Sequence, residues 1–429
     1  MLRLKNIGRA QWSWAFYDWA NSAFATTVMG VFFPIMFKSY WCIDATVAQS
    51  TWRLGAVSSA SSLAVAVLSP ILGAIADRAG TRKRFLIYFA LMGVVMTGGL
   101  ALAAKGEWQL AALLYFIASV GFAGGNTFYD SMIVGVSSEK DVDMISALGF
   151  SLGYLGGGLL FALNVLMVSK PHLFGLADAS AAVKVSFICV SVWWAVFSLP
   201  LIFFVKEPFK GAVNGATNGA GTSIRQAIAE LCHTVKRVGA HRQAFLFLVA
   251  YWFYIDGVDT VIRMAVDYGM SLGFDTQNLM IAFLVTQFVG FPAALVFGMV
   301  GERIGPKRAV LIGLAVYVGV ALWGYRMDEV SDFYVLAVVV GLVQGGVQSL
   351  SRSIYVRLIP AEKSAEFFGF YNMLGKTAAI LGPLLMGAAA VLTGSARMAI
   401  LPIILLFVLG GGLLAFVKVP TNQVEVGGG

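Results

Sequence analysis

Roughly twelve apolar stretches, each long enough to cross the ~30 Å of hydrocarbon that about 20 helical residues span, run through this chain of 429 residues. They lie near residues 11–38, 52–76, 84–104, 109–136, 144–168, 183–205, 243–271, 277–300, 309–326, 333–356, 365–392 and 397–418. Backbone N–H and C=O groups in lipid must be satisfied internally, so such a chain folds either as a helix bundle or as a closed barrel. A barrel strand alternates apolar and polar residues over about ten positions. Leu86 to Ala104 shows no alternation and is apolar on all sides. The expectation is therefore an all-α membrane protein of twelve spanning helices.

Composition agrees: 59% of the residues are hydrophobic and 12% charged, with a mean hydropathy of +0.81. The apolar run after Arg3, Lys5 and Arg9 is too long and too polar in its middle for a cleavable signal peptide, so the first helix is expected to stay. With the N-terminus cytoplasmic, about 20 Lys and Arg fall on that side and about 7 outside, which satisfies the positive-inside rule. Both termini are thus expected in the cytoplasm, and the localisation in the inner membrane. The formal charge of +8 calls for no nucleic-acid partner, since the basic residues sit at helix ends where anionic lipid holds them. Cys42, Cys189 and Cys232 fall in three separate regions without metal-ligand or disulfide spacing. His172, His233 and His241 lie in predicted loops. No Gly-x-x-x-x-Gly-Lys loop occurs, which argues against ATP-driven pumping by this chain. Gly149-Phe-Ser151-Leu-Gly153 matches a nucleophile-elbow pattern but sits in a glycine-rich apolar helix rather than at a strand-to-helix turn. Its continuation to Gly157 at four-residue spacing reads as close helix packing. No enzyme and no cofactor are expected.

The longest connection, Lys206 to Arg242, opens with a Gly/Ala/Asn-rich run at 211–221 and divides the helices six and six. The expected domains are 1–205, a linker over 206–242 with a short amphipathic helix over 224–238, 243–420, and a tail over 421–429 that ends in an appended Gly run. The two halves repeat each other. Trp14-Ala-Phe-Tyr-Asp18-Trp-Ala-Asn21-Ser22 aligns without gaps on Trp252-Phe-Tyr-Ile-Asp256-Gly-Val-Asp259-Thr260. Gly73-Ala-Ile-Ala-Asp77-Arg78-Ala-Gly80-Thr-Arg82-Lys83 aligns on Gly298-Met-Val-Gly-Glu302-Arg303-Ile-Gly305-Pro-Lys307-Arg308. Two six-helix units in the same orientation, related by an axis along the membrane normal, place a binding site between them near the midplane.

The Gly, Asp, Arg, Gly, Arg, Lys spacing of that loop resembles the signature of the major facilitator superfamily, and its second copy strengthens the resemblance. Segments Ser13 to Phe24, Asp256 to Gly269, Gln344 to Ser353 and Phe367 to Leu384 resemble more narrowly the vacuolar-effluxer-like branch, related to autophagy-associated amino-acid effluxers of fungal vacuoles. The resemblance implies two pseudo-symmetric bundles that rock about a central cavity, with the first, fourth, seventh and tenth helices lining it. It also implies export of a small molecule, amino acids being the best-known proposal. In that setting Asp77, Arg78, Arg82, Glu302 and Arg303 are expected to act as a gate on the cytoplasmic face.

Each intramembrane ionisable group costs at least about 2.5–3.5 kcal/mol on insertion scales and must meet a cavity or a partner. Asp256, Asp259, Arg263 and Asp267 are spaced 3, 4 and 4 along one face of the seventh helix. They form either a self-compensated ladder or a coupling site, for which Asp259 ranks first, then Asp18 and Asp256. With no histidine in any predicted helix, proton coupling would fall to carboxylates. Tyr17 and Asn21 accompany Asp18; Asn126 and Asp130 lie in the fourth helix; Gln344, Gln348 and Arg352 share a face of the tenth. Tyr371, Asn372 and Lys376 lie in the eleventh. The amides suit a polar or zwitterionic solute or interhelical hydrogen bonds. Arg352 with Asp130 suits an inside gate, and Lys376 an anionic group or an acid of the seventh helix. Many proton-coupled drug antiporters of the superfamily carry an arginine in the fourth helix, which is missing here. The reading is a monomeric secondary transporter of a small polar solute, with membrane lipids and protons as its other partners; the rivals are a flippase for an amphipathic solute and a membrane enzyme.

Overall fold

A computed structural model describes residues 7–207, 239, 241–378, 381–395 and 397–420; at 47, 48, 51, 263, 266, 267, 271, 276 and 277 it describes the backbone only. The expected linker helix over 224–238 and the tail lie outside the described residues. Twelve helices among them are long and apolar enough to span a bilayer. They are α1 (Arg9–Trp41), α2 (Val47–Ala79), α3 (Arg82–Leu102), α4 (Trp108–Val136), α5 (Val142–Ser169), α6 (Ala179–Phe204), α7 (Arg242–Ser271), α8 (Thr276–Ile304), α9 (Pro306–Tyr325), α10 (Val330–Leu358), α11 (Ala361–Thr393) and α12 (Arg397–Phe416). An even number of crossings returns the described chain to the face it started from, called here the terminal face.

Local signals set the helix ends. Thr46 and Gln49 form a reciprocal capping box at the start of α2, with Oγ1 accepting from the Gln49 N–H at 3.3 Å and Oε1 from the Thr46 N–H at 3.1 Å. Asp178 Oδ1 accepts the Ala181 N–H at 2.7 Å and starts α6. The repeated loops turn on glycine: Gly80 after α2 has φ +61° and Gly305 after α8 has φ +89°, a region that side chains with Cβ rarely adopt. α1 contains wide π-helical turns over Phe24–Phe32 and again over Phe37–Trp41.

Small residues let the helices approach. Gly149, Gly153 and Gly157 of α5 present bare backbone to Asp18, Ser22 and Thr26 of α1. A Cβ on Gly153 would lie 2.6 Å from Ser22 Oγ, which makes the four-residue glycine spacing a packing seam. The two bundles meet along α2 with α11 and α5 with α8. There a Cβ on Gly73 would stand 2.2 Å from the Ala365 carbonyl oxygen, one on Gly369 2.7 Å from the Pro70 Cα, and one on Gly298 2.6 Å from the Ala147 Cβ. Ser151, the residue of the elbow-like pattern, donates to the Phe291 carbonyl at 2.7 Å across the second of these seams. The large exposed apolar side chains, among them Leu63, Tyr88, Phe203 and Val391, are those of a surface made for acyl chains.

Candidate functional site

Near the terminal face, polar and charged groups from both bundles converge. Arg352 stands six residues before the end of α10, about 9 Å into the span at 1.5 Å per residue. Its guanidinium reaches into the N-terminal bundle. Nη1 pairs with Asp130 Oδ1 of α4 at 2.8 Å, and Nη2 lies 3.7 Å from Asp18 Oδ2 of α1. Nε donates to Ser146 Oγ at 2.9 Å and Nη2 to the Ser146 carbonyl at 3.0 Å. Tyr129 donates its hydroxyl to Asp18 Oδ2 at 2.8 Å. The cation also sits over the rings of Phe150 (4.6 Å) and Trp14 (4.9 Å), and Trp14 stacks on Tyr129 at 4.4 Å. Only 2% of Arg352 is exposed. A charge so far from water is tolerated because its donors are satisfied and an anion faces it.

Closer to the face, a second set of contacts joins the same two halves. Asp77 at the end of α2 accepts from the Ala365 and Glu366 N–H groups at 3.2 and 2.8 Å, anchoring the first turns of α11, and pairs with Arg82 Nε at 2.6 Å. Arg82 Nη2 donates to the Glu362 carbonyl at 2.7 Å. Arg357 of α10 pairs with Asp143 of α5 at 2.7 Å and donates to the Glu139 carbonyl at 3.2 Å, while Ser353 donates to Asp143 and accepts from Arg357. Glu207 accepts from the Arg82 and Lys83 N–H groups at 3.0 and 2.9 Å. Burial pushes its carboxyl above the usual glutamate range, against the pull of those two N–H groups.

The two copies of the repeated loop therefore differ. The first ties α2 to α11 across the halves. In the second, Lys307 donates to the Ala415 and Val417 carbonyls at 3.1 and 3.0 Å and closes on α12 of its own bundle; Glu302 is half-buried, and Arg303, like Arg78, is exposed. The first copy thus ties the two halves together, whereas the Lys307 contacts of the second lie within its own bundle, because that loop lies beside the end of α12.

Deeper residues form smaller pairs. Asn21 Nδ2 donates to Asn126 Oδ1 at 2.5 Å, and Asn372 Nδ2 donates to Asp130 Oδ2 at 3.3 Å from the other half. Gln348 Oε1 accepts from Tyr154 at 3.3 Å, also across halves. Lys376 is half-buried with Nζ 5.9 Å from the Phe122 ring, and Tyr371 stacks on Tyr251 at 4.2 Å. Gln344 lines an apolar cavity of about 100 Å³ inside the C-terminal bundle, with Thr260, Tyr268 and Met386. Tyr17 lies elsewhere: it is fully buried in the N-terminal bundle, its ring 5.1 Å from Tyr129 and its hydroxyl filling the space that Gly125 leaves.

On α7, Asp256 is fully buried, and both its oxygens accept the Gly382 N–H of α11, at 3.0 and 3.1 Å, with Thr260 Oγ1 donating at 3.3 Å. Around the helix axis its position lies about 20° from those of Arg263 and Asp267 and about 60° from that of Asp259. Asp18 and Asp256, expected around one space, have separate partners in this structure. Asp259 is partly exposed; the side chains of Arg263 and Asp267 lie outside the described residues. Tyr129, Ser146, Asp143 and Arg357 escaped the sequence reading. Arg357, five residues past Arg352, was one more basic residue at a helix end, and only its burial beside Asp143 distinguishes it. Among the described residues no cluster of His, Cys, Asp and Glu fits a metal ion.

The family model for "Vacuole effluxer Atg22 like" proteins matches residues 54–140 and 135–427. YxiO, an MFS-type transporter of Bacillus subtilis, is 38% identical over 98% of this chain and 97% of its own length. Autophagy-related protein 22 of Yarrowia lipolytica is 22% identical over 85% of this chain and 74% of its own. Among solved structures, the human organic anion transporter MFSD10 superposes with a TM-score of 0.71, at 17% identity, over 95% of this chain and 99% of the other, and shows the shared fold.

Proposed function

Because this chain belongs to the Atg22-like vacuole effluxer family of major-facilitator transporters, we propose that it exports a small polar solute, an amino acid, across the inner membrane by rocking of its two six-helix halves. Both termini are cytoplasmic in this reading, so the terminal face is the cytoplasmic one and the state described is closed to the cytoplasm. The observation that carries the reading is the buried Arg352 of one half, held by Asp130 and Ser146 of the other at 2.8 and 2.9 Å. A fold with no need to part would gain nothing from charge pairs across a seam, since apolar packing of the same volume stabilises as well or better. Asn21, Asn126, Gln348, Asn372 and Lys376 supply donors and acceptors suited to a zwitterion below that gate. Lys376 suits a carboxylate, and the amides suit an ammonium group and its hydration.

A proton is the proposed coupling ion, taken by a carboxylate of α1 or α7. The test is counterflow of labelled neutral amino acids into proteoliposomes, with and without a pH gradient. Saturable exchange that an unlabelled competitor suppresses supports the amino-acid class. Absence of exchange with every neutral, acidic and basic amino acid rejects it. A solute chased outward by an inward proton gradient supports export; accumulation down the same gradient reverses the direction.

A further inference from the structure

We propose that Asp256 is the proton-binding site of this transporter, and that it acts through its contact with the Gly382 amide of α11. The inference rests on the transport reading above and assigns its coupling group. The carboxylates of the gate are committed to cations: Asp130 and Asp18 to Arg352, Asp143 to Arg357, Asp77 to Arg82. Asp256 is held differently. Its hydrogen bonds come from uncharged donors, among them the Gly382 N–H, which reaches both oxygens, and the Thr260 hydroxyl.

The site is built for that contact. A Cβ at residue 382 would fall 1.8 Å from Thr260 Oγ1 and 3.0 Å from Asp256 Oδ1, so glycine brings the amide within reach of the carboxylate. Thr260 and Met386, the latter one turn beyond Gly382, also line the apolar cavity of the C-terminal bundle, so the Asp256–Gly382 contact borders that cavity. The ionisable groups on the elements packed around it are few. Asp259 lies one turn on along α7, with Arg263 a further turn away. On α11, Lys376 precedes Gly382 by six residues. α8 has none between Asp275 and Glu302, α12 none between Arg397 and Lys418, and α10 offers Arg352, which is engaged with the other half.

Protonation adds one proton to one carboxylate oxygen and turns an acceptor into a donor. The Gly382 N–H then keeps one acceptor of two. Uptake of a proton therefore loosens Gly382 of α11 from α7, and release restores the contact.

The experiment is an infrared pH titration of the purified full-length protein in lipid, following the carboxylic-acid C=O band, paired with pH-gradient response in proteoliposomes. The expected result is a titrating band that Asp256→Asn removes and that Asp18→Asn and Asp259→Asn retain. The same variant should lose its response to the gradient, measured relative to its own gradient-free exchange. Thr260→Ala, which removes a donor to the ionised form, should move the band's midpoint to higher pH. A band that survives in Asp256→Asn overturns the proposal. If that variant does not fold, an unmoved midpoint in Thr260→Ala overturns it and a raised one supports it. A wild-type protein that transports no amino acid defeats the substrate reading while the titration still decides Asp256.

Discussion

Arg352→Gln is expected to open the terminal face. In the closed state the guanidinium makes one close ion pair with Asp130 and two hydrogen bonds with Ser146, all across the seam. Removing the cation leaves Asp130 with only the Asn372 amide and Asp18 with only Tyr129 among their described hydrogen-bond partners. Breaking a buried pair from one side costs about 3–5 kcal/mol, most of it the penalty of the charge left behind. Once the halves part, the same carboxylates face water and escape that penalty, so the loss falls on the closed state. At 1.4 kcal/mol per tenfold, the open-to-closed ratio rises by roughly two to three and a half orders of magnitude. Neutralising the stranded acid should recover much of this, so Arg352→Gln with Asp130→Asn should open less than the two single changes added together. Spin labels at the exposed positions Lys140 and Lys363, one in each half, report the opening as a distance distribution once Cys42, Cys189 and Cys232 are replaced by serine. A distribution in Arg352→Gln that matches the parent, or strictly additive single and double variants, would refute the reasoning.

Asp77→Asn should open the same face by a smaller step, since the amide still accepts from Ala365 or Glu366 while losing the Arg82 charge; the same labels measure it. Gly369→Leu, whose side chain must displace backbone at Ser69 and Pro70, should keep the halves apart on that face and abolish exchange while leaving the purified protein monodisperse. Glu207 binds a proton more readily folded than unfolded. Its contribution to thermal stability is therefore present below the ordinary glutamate range and falls as pH rises through its raised value. Glu207→Gln should flatten that part of the stability profile, and an unchanged slope would show that another group sets it.

The number of helices and the division into halves were legible because they depend on length, hydropathy and repetition, which lipid enforces residue by residue. Arg352 and Asp130 were legible as a pair because both are charges that lipid forbids and both lie near the same face. What escaped the sequence depends on direction over distances the local pattern does not encode. Tyr17 sits beside Asp18 in the chain, yet its ring turns into the bundle where Gly125 leaves space, 108 residues away in sequence. Asp256 fits the α7 ladder by spacing, and its partner amide lies 126 residues on; only the glycine at 382 hinted at a close approach. The π-helical turns of α1 had no periodic signal at all.

The repeated loop shows why near-identity of motif does not imply identity of role. Both copies need the glycine at positive φ, and both have it, because that requirement is local to the turn. The acid and the basic residues act through whatever lies opposite, and there the halves diverge. Beside the first copy stands the start of α11, with unsatisfied N–H groups for Asp77 and carbonyls for Arg82. Beside the second stands the end of α12, whose last carbonyls accept from Lys307, as basic groups favour at a helix C-terminus. An asymmetric lock follows from a symmetric motif. Exchanging the acids, Asp77→Glu with Glu302→Asp, should therefore weaken the closure of the terminal face through the first position alone. Glu302→Asp by itself should leave the label distances at Lys140 and Lys363 unchanged. A matching shift from both single variants would mean that the second copy also bridges the halves.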